Sequence, residues 1–314
     1  MRSLLLVFLL ACDRGETPER EAHQGTSAMR PATEHAAMRP AMEHAAMEHA
    51  AMEHAATARP ATERSATERP VTEAATERHV VRVSEVDWQA LNPARGDASP
   101  LAGTLWGDRN GAEATGFLFR PVDGFRSPPH IHNVTYRGVV IRGVVHNDDP
   151  DAEELWMPAG SFWTQPKGDV HITAARGDNT LAYIEIDEGP YLVWPVERAF
   201  QDGESPRNVA ASEIAWTAET DVFVNGRTSG GQVAHLWGEP TERGGLLLRL
   251  PAGQRATLSG STFRAVVIRG MVQSAGPLAP GSYFQSNGAE EISCDEVCVL
   301  YVRHEARFRV ALVE

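Results

Sequence analysis

The sequence has 314 residues, a length that favours two domains of ordinary size. Hydrophobic residues make up 42% of the chain, which is enough to build real cores. The formal net charge of -13 argues against nucleic acid as a partner, because contacts to phosphates need a basic surface.

The first twelve residues have the features of an export signal. Arg2 provides a positive charge, and the apolar run from Leu4 to Leu10 is far shorter than the ~20 residues of a membrane span. The run ends at Ala11-Cys12, which resembles the lipobox of bacterial lipoproteins, where the cysteine is acylated and becomes the mature N-terminus. We therefore expect an exported lipoprotein, anchored through Cys12 on the periplasmic or cell-surface face of a membrane. The alternative is an ordinary signal peptide with an incidental cysteine.

Residues 13–79 form a low-complexity segment without Leu, Ile, Phe, Tyr or Trp. The word Met-Glu-His-Ala-Ala is repeated from Met42 to Ala56, and prolines interrupt the segment at intervals. Such a composition cannot bury a core, so it predicts a disordered tether. The Met and His side chains could also bind copper or zinc, but expansion of an unconstrained linker explains the repeats equally simply, and we favour that explanation.

Short β-rich runs separated by Gly, Pro, Asn and Asp begin at Val80 and continue to the end of the chain. Four blocks recur in the same order: Ser84–Trp88 as Ser212–Trp216, Leu105–Asp108 as Leu236–Glu239, Tyr136–Gly143 as Phe263–Gly270, and Gly160–Trp163 as Gly281–Phe284. This pattern predicts an internal duplication and an all-β fold, with one domain at 80–196 and a second at 197–314.

Three histidines of the first half are candidate metal ligands. His130 and His132 lie two residues apart, so on a strand they point to the same side, and His171 follows in the stretch Pro166-Lys167-Gly168-Asp169-Val170-His171. Three neutral imidazoles that leave coordination positions open suit one divalent transition metal ion, whether Zn, Fe, Mn, Ni or Cu.

The same stretches resemble the two motifs of the cupin superfamily. Five residues separate Gly124 from His130, six separate Tyr136 from Gly143, and the second motif is Pro-x-Gly-x-x-His. The resemblance implies two tandem jelly-roll β-barrels, the first of which binds metal. Tyr136 stands where most cupins have a glutamate ligand, and Ala175 stands where they have asparagine. Three-histidine cupins without the carboxylate exist and include thiol and diketone dioxygenases.

The stretch from His130 to Pro195 is also similar to an uncharacterised bicupin family known only as a domain of unknown function. The words that carry this similarity are His132–Gly138, His146–Pro150, Gly160–Pro166 and Gly189–Val193. That family is related to the ChrR-type cupins of zinc-binding anti-sigma factors. The resemblance implies a fold and a metal but no reaction, and by analogy with cupins it leaves a homodimer open.

The sequence also offers two candidate catalytic residues and one candidate disulfide. Tyr136 could be a weak ligand, a hydrogen-bond donor or a substrate contact, and His146 could face the substrate, although His146 also fits a simple hairpin exit. Cys294 and Cys298 flank a plausible hairpin loop and predict a disulfide, with free thiols as the alternative.

The matching positions of the second half hold Thr257, Ser259 and Glu291, a poor set for a soft metal. That domain is therefore predicted to be structural or a metal-free pocket. For the whole protein two hypotheses remain. One is a metal-dependent oxygenase or isomerase of a small molecule, and the other is a non-catalytic ligand-binding or sensing module presented at the membrane.

Overall fold

The computed structural model describes residues 78–218, 221–226 and 228–313. The predicted lipidation site Cys12 lies outside the described residues, and so does the predicted tether except for Arg78 and His79, which begin the first strand. Within the described ranges no helix has both the length and the apolar character needed to cross a membrane.

Ten strands belong to the first half of the duplicated region. They are β1 (Arg78–Val81), β2 (Trp88–Ala90), β3 (Leu101–Trp106), β4 (Glu113–Arg120), β5 (Ile131–His132), β6 (Tyr136–Asp148), β7 (Met157–Pro158), β8 (Phe162–Gln165), β9 (Ile172–Glu188) and β10 (Val193–Trp194). Short 3-10 helices occupy Val83–Glu85, Pro93–Ala98 and Val196–Arg198.

The described residues of the second half form eleven strands and a 3-10 helix at Val224–Gly226. They are β11 (Arg207–Val209), β12 (Gln232–Gly238), β13 (Gly244–Leu250), β14 (Arg255–Ser259), β15 (Phe263–Arg269), β16 (Val272–Gln273), β17 (Pro277–Leu278), β18 (Tyr283–Ser286), β19 (Ala289–Cys294), β20 (Cys298–His304) and β21 (Arg309–Val313).

Each half is a barrel built from one large sheet and one smaller layer. In the first barrel the large sheet has the order β11-β8-β6-β9-β4-β3-β2, with β7 paired to β6, and β5 pairs with β10 on the other side. In the second barrel a sheet of order β1-β18-β15-β20-β13-β12 faces one of order β17-β16-β19-β14-β21. The structure confirms the predicted all-β fold of two tandem cupin barrels.

The two barrels exchange their first strands. β1 pairs with β18 of the second barrel, where Val81 lies opposite Tyr283, and β11 pairs with β8 of the first barrel, where Val209 lies opposite Phe162. Phe162 and Tyr283 occupy the same position in their repeats, so the exchange is reciprocal. Each large sheet is therefore completed by the other half of the sequence.

The buried side chains form three clusters, because residues alternate between the two faces of a strand. On β15, Ala265 and Val267 point into the second barrel, whereas Val266 and Ile268 point to a separate cluster shared with the first barrel. That shared cluster includes Val139 and other residues from the equivalent strand β6. The two large sheets thus pack face to face, and each barrel encloses its own interior.

Candidate metal centre

The three candidate ligands meet where two distant stretches of the first barrel pair. His130 and His171 exchange backbone hydrogen bonds, from His130 N to His171 O at 3.1 Å and from His171 N to His130 O at 3.0 Å. β5 carries His132 beside this bridge and is held by β10, since His132 lies opposite Val193. The pairing brings side chains from two separate sequence motifs to one place.

The imidazole rings converge. The ring centroids of His130 and His171 are 4.3 Å apart, those of His130 and His132 are 5.0 Å apart, and those of His132 and His171 are 5.2 Å apart. One ligand nitrogen from each ring lies within 4.8 Å of the other two. This spacing fits three nitrogens around a single metal ion.

Backbone carbonyls fix the orientation of all three rings. The Nδ1 atom of His130 lies 2.9 Å from Pro128 O, that of His132 lies 3.0 Å from Leu192 O, and that of His171 lies 3.1 Å from Asp169 O. Because a carbonyl only accepts, each Nδ1 donates its proton and each Nε2 keeps a lone pair. The donor set therefore fits a divalent transition metal.

Burial keeps these imidazoles neutral. It lowers the pKa of His130, lowers that of His171 to about 3, and lowers that of His132 well below its ordinary value. The neighbouring imidazoles act in the same direction on His132 and His171, since two cations would repel each other. Neutral imidazole is the form that binds a metal.

Tyr136 lies beside the cluster and belongs to a buried polar network. Its hydroxyl donates to Asn147 Oδ1 at 2.7 Å and lies 3.3 Å from His171 Nε2. Asn147 in turn donates to Gln165 Oε1 at 2.9 Å and accepts from Thr173 Oγ1 at 2.8 Å. Burial raises the pKa of Tyr136, so the phenol stays protonated and serves as a hydrogen-bond donor.

A second tyrosine covers the cluster. The Tyr191 ring stacks on His132 with centroids 4.3 Å apart, and its hydroxyl lies 3.2 Å from His132 Nε2. Sequence reasoning did not single out Tyr191. A signal was present in the adjoining Gly189-Pro190 dipeptide, a turn that returns the chain to β5, but nothing in the sequence indicates that the turn reaches the histidines.

The structure does not bring His146 to the site. Its ring is buried near Trp156, with centroids 5.8 Å apart, and its Nδ1 lies 3.2 Å from Leu155 O. On a regular strand His146 would share the face of Tyr136, but the pairing of β6 with β9 shifts register near Gly143. Asn147 therefore faces Tyr136, and His146 faces away.

A cavity of about 490 Å³ opens in front of His130, His132 and Tyr136. Most of its walls are apolar or aromatic. The lining residues are Leu91, Asn92, Arg95, Pro100, Phe117, Phe119, Phe125, Ser127, Pro128, His130, His132, Tyr136, Trp163, Thr173, Ile184, Tyr191 and Val193. A concave apolar site with a few polar groups is typical of small-molecule binding.

The second barrel holds no equivalent cluster among its described residues. Thr257 pairs with Glu291 as His130 pairs with His171, but the side chain of Glu291 is 78% exposed. Phe263 stands in the place of Tyr136 and is fully buried in an apolar core. Phe263 packs there against Phe284 and Phe308, with ring centroids 6.3 Å and 5.3 Å away.

Cys294 and Cys298 are joined in a disulfide in this second barrel. Their Cα atoms are 5.8 Å apart, and they end β19 and begin β20. The bond closes the three-residue loop between the two strands.

Comparison with solved structures agrees with the fold. A protein from Nostoc punctiforme, provisionally described as a dioxygenase, superposes with a TM-score of 0.56 at 14% identity, over 72% of this chain and 82% of that one. Ylba from E. coli, of the DUF861 family, superposes with a TM-score of 0.50 at 10% identity, over 72% of this chain and 90% of that one. At these identities the likeness shows the fold alone.

No curated protein matches the chain. The family described as a domain of unknown function, DUF4437, matches residues 79–311, which includes both barrels and every residue of the histidine cluster. The chain therefore belongs to the DUF4437 family.

Proposed function

We propose that the first barrel binds one divalent transition metal ion through Nε2 of His130, His132 and His171 and acts on a small molecule held in the cavity, as an oxygenase or isomerase. One observation carries the proposal. Three imidazoles, each with its Nδ1 held by a carbonyl, bring one ligand nitrogen apiece within 4.8 Å of the other two, and two of them, His130 and His132, line an apolar cavity.

A divalent metal bound by three imidazoles supplies an open position at which a substrate oxygen is polarised. The protein contributes orientation, water exclusion and a proton donor. The Tyr136 hydroxyl donates to Asn147 Oδ1, which also accepts from Thr173 Oγ1. If the hydroxyl turns from Asn147 toward the cluster, it can donate its one hydrogen bond to an oxygen beside His171 instead. Tyr191 and the aromatic walls exclude water, which strengthens such polar contacts.

The metal content of purified protein tests the site. We expect about one transition metal ion per chain in the wild type and almost none in the variant His130→Ala/His132→Ala. The variant Thr257→Ala/Ser259→Ala changes the matching positions of the second barrel, so it should keep the wild-type content. Equal metal content in wild type and histidine variant would show that the ion binds elsewhere.

Turnover separates catalysis from simple binding. We expect iron-loaded protein to consume oxygen in the presence of a small organic substrate. The variant Tyr136→Phe, which lacks the hydroxyl, should consume oxygen more slowly while its metal content stays unchanged. A protein that binds one metal ion but turns over no substrate would instead support the non-catalytic ligand-binding or sensing module.

We propose in addition that Cys12 is lipidated and anchors the protein to a membrane. The support is the apolar run that ends at Ala11-Cys12. In a bacterial host grown with radiolabelled fatty acid, the full chain should incorporate label and sediment with membranes, whereas Cys12→Ala should do neither. Label in the variant would overturn the assignment.

A further inference from the structure

The cavity in front of the histidines has walls suited to a flat apolar molecule. Phe117 packs edge-on against Tyr191 with ring centroids 5.4 Å apart, and Phe119 packs edge-on against Phe125 at 6.0 Å. All four rings line the cavity. Aromatic walls of this kind bind planar rings through offset and edge contacts.

One charged side chain reaches this apolar space. Arg95, on the 3-10 helix Pro93–Ala98, lines the cavity, and its Cζ lies 5.1 Å from the centroid of the Phe125 ring. Its guanidinium makes a long polar contact with the backbone, from Nη2 to Arg126 O at 3.5 Å. None of the described residues that line the cavity carries a carboxylate, so the cavity has an uncompensated positive charge.

This charge is opposite in sign to that of the protein as a whole, whose formal net charge is -13. A guanidinium that faces an apolar cavity is a strong and selective partner for a carboxylate, which it can hold by two parallel hydrogen bonds.

Trp163 supplies a second polar group of the cavity. The indole Nε1 of Trp163 is buried and makes no hydrogen bond within the described part of the chain, although it lies close to the Tyr136 hydroxyl. An unmade hydrogen bond costs about 1–3 kcal/mol in a protein interior. An oxygen of a bound ligand would satisfy this donor.

We propose that the cavity binds a small carboxylate with a flat apolar body, of the benzoate type. The carboxylate pairs with Arg95, and the ring lies between the phenylalanine walls. This ligand class belongs to the same site as the proposed function, and any reaction of the ligand rests on that proposal. Binding of the ligand does not, since neither Arg95 nor the aromatic walls need a metal to hold it.

Calorimetric titration with benzoate, benzamide and acetate tests this, both on the protein as purified and after chelation of metals. We expect saturable benzoate binding, with benzamide and acetate each at least tenfold weaker. Benzamide keeps the ring but replaces one carboxylate oxygen with an uncharged NH2 group, and acetate keeps the carboxylate but lacks the ring. Wild-type protein therefore reports separately on the contribution of the carboxylate and on that of the ring.

Variants then locate the charge. Arg95→Gln should weaken benzoate binding at least tenfold and leave the affinity for benzamide unchanged, and Arg95→Lys should recover part of the loss. The control Arg255→Gln changes an exposed arginine of the second barrel, so it should bind as wild type does. Thermal unfolding verifies that each variant is folded.

Three results would overturn the inference: no benzoate binding to either form, equal affinity for benzoate and benzamide, or wild-type affinity in Arg95→Gln. These outcomes are independent of the metal. Loss of metal binding in His130→Ala/His132→Ala with benzoate binding retained supports both proposals. A metal-free wild type that binds benzoate through Arg95 leaves the ligand class standing while the metal site fails.

Discussion

Each histidine of the cluster is oriented by a backbone carbonyl oxygen, and for two of the three that oxygen is local in sequence. Pro128 O and Asp169 O come from two residues before His130 and His171, whereas Leu192 O comes from the segment that leads into β10. The first two contacts follow from tight local turns. The third depends on β10 returning to β5, so the orientation of His132 depends on the tertiary fold.

Buried neutral imidazoles make the stability of the protein depend on pH. Burial lowers the pKa of His304, in the second barrel, as it does for the three histidines of the cluster. His304 Nδ1 lies 2.9 Å from both Glu242 O and Ala306 O, and His235 and Glu305 are its titratable neighbours. In the unfolded chain the histidine side chains have a pKa near 6.5, so below that pH the unfolded state binds more protons than the folded state.

We therefore predict that metal-free protein loses stability as the pH falls from 6.5 to 5. Each imidazole that stays neutral contributes a slope of up to about 1.4 kcal/mol per pH unit. His304→Gln should have a smaller slope than wild type while its histidine cluster is intact. Urea unfolding at several pH values measures this, and an unfolding free energy that is constant across the range would contradict it.

At the scale of strands, β6 positions Tyr136 and its hydrogen-bond partner Asn147 beside the histidines. It is 13 residues long, pairs with β7, β8 and β9, and carries Tyr136 near one end and Asn147 near the other. Gly143 has a φ of 72°, in the region that favours glycine, where the register with β9 shifts. Without this irregularity Tyr136 and Asn147 would lie on opposite faces.

A close approach between β6 and β8 holds one wall of the cavity. Gly138 lies opposite Trp163, and a Cβ atom at Gly138 would overlap the indole ring. We predict that Gly138→Ala displaces Trp163 and lowers the free energy of unfolding by about 1–3 kcal/mol, as overpacking does. Gly260→Ala is a matched control, since its nearest neighbouring atom is 3.5 Å away.

Urea unfolding measures the stability of both glycine variants, and calorimetric titration measures their affinity for benzoate, which depends on the shape of the cavity. The prediction requires Gly138→Ala to be the less stable variant and the weaker benzoate binder. Equal stability of the two variants would mean that Trp163 moves freely and is not a fixed wall.

At the scale of the whole molecule, a buried polar network joins the two large sheets. Trp106 Nε1 donates to the Tyr183 hydroxyl and Trp237 Nε1 to the Tyr301 hydroxyl, both at 2.9 Å. Both tyrosines then donate to Glu185, at 3.0 Å and 2.6 Å. The paired Trp and Tyr residues are equivalent in the two repeats, so the network is nearly symmetric.

One position breaks this symmetry. Glu185 and Arg303 each follow their tyrosine by two residues, and Arg303 Nη1 lies 3.5 Å from Glu185 Oε1 and 2.7 Å from Asp187 Oδ1. Two copies of the first barrel would place glutamate against glutamate, and two copies of the second would place arginine against arginine. The opposite charges therefore favour the pairing of unlike halves.

We predict that Arg303→Met destabilises the protein by about 3–5 kcal/mol, because it leaves the buried Glu185 without its cation. The double variant Glu185→Gln/Arg303→Met should recover part of the loss, since it removes both buried charges. Urea unfolding of the two variants and wild type measures the difference. A loss below 1 kcal/mol in the single variant would show that the pair contributes little.

The sequence by itself determined the fold class, the duplication and the three histidines, because strand alternation, repeated blocks and motif spacing are local or periodic signals. It also paired Cys294 with Cys298, which a short hairpin brings together. A glycine within a run of strand residues, as at Gly143, is a signal for a bulge. Spacing alone could not predict whether His146 or Asn147 would then lie on the same face of the strand as Tyr136.

Only the tertiary structure decided which side chains surround the histidines. Tyr191, Arg95 and Trp163 reach the cavity from segments far apart in the chain, and no periodicity relates them to His130. The exchange of β1 and β11 likewise depends on the packing of one large sheet against the other. The face of a strand on which a side chain lies is set by the local sequence. The residue that it meets across a cavity is set by how the strands assemble into a closed barrel.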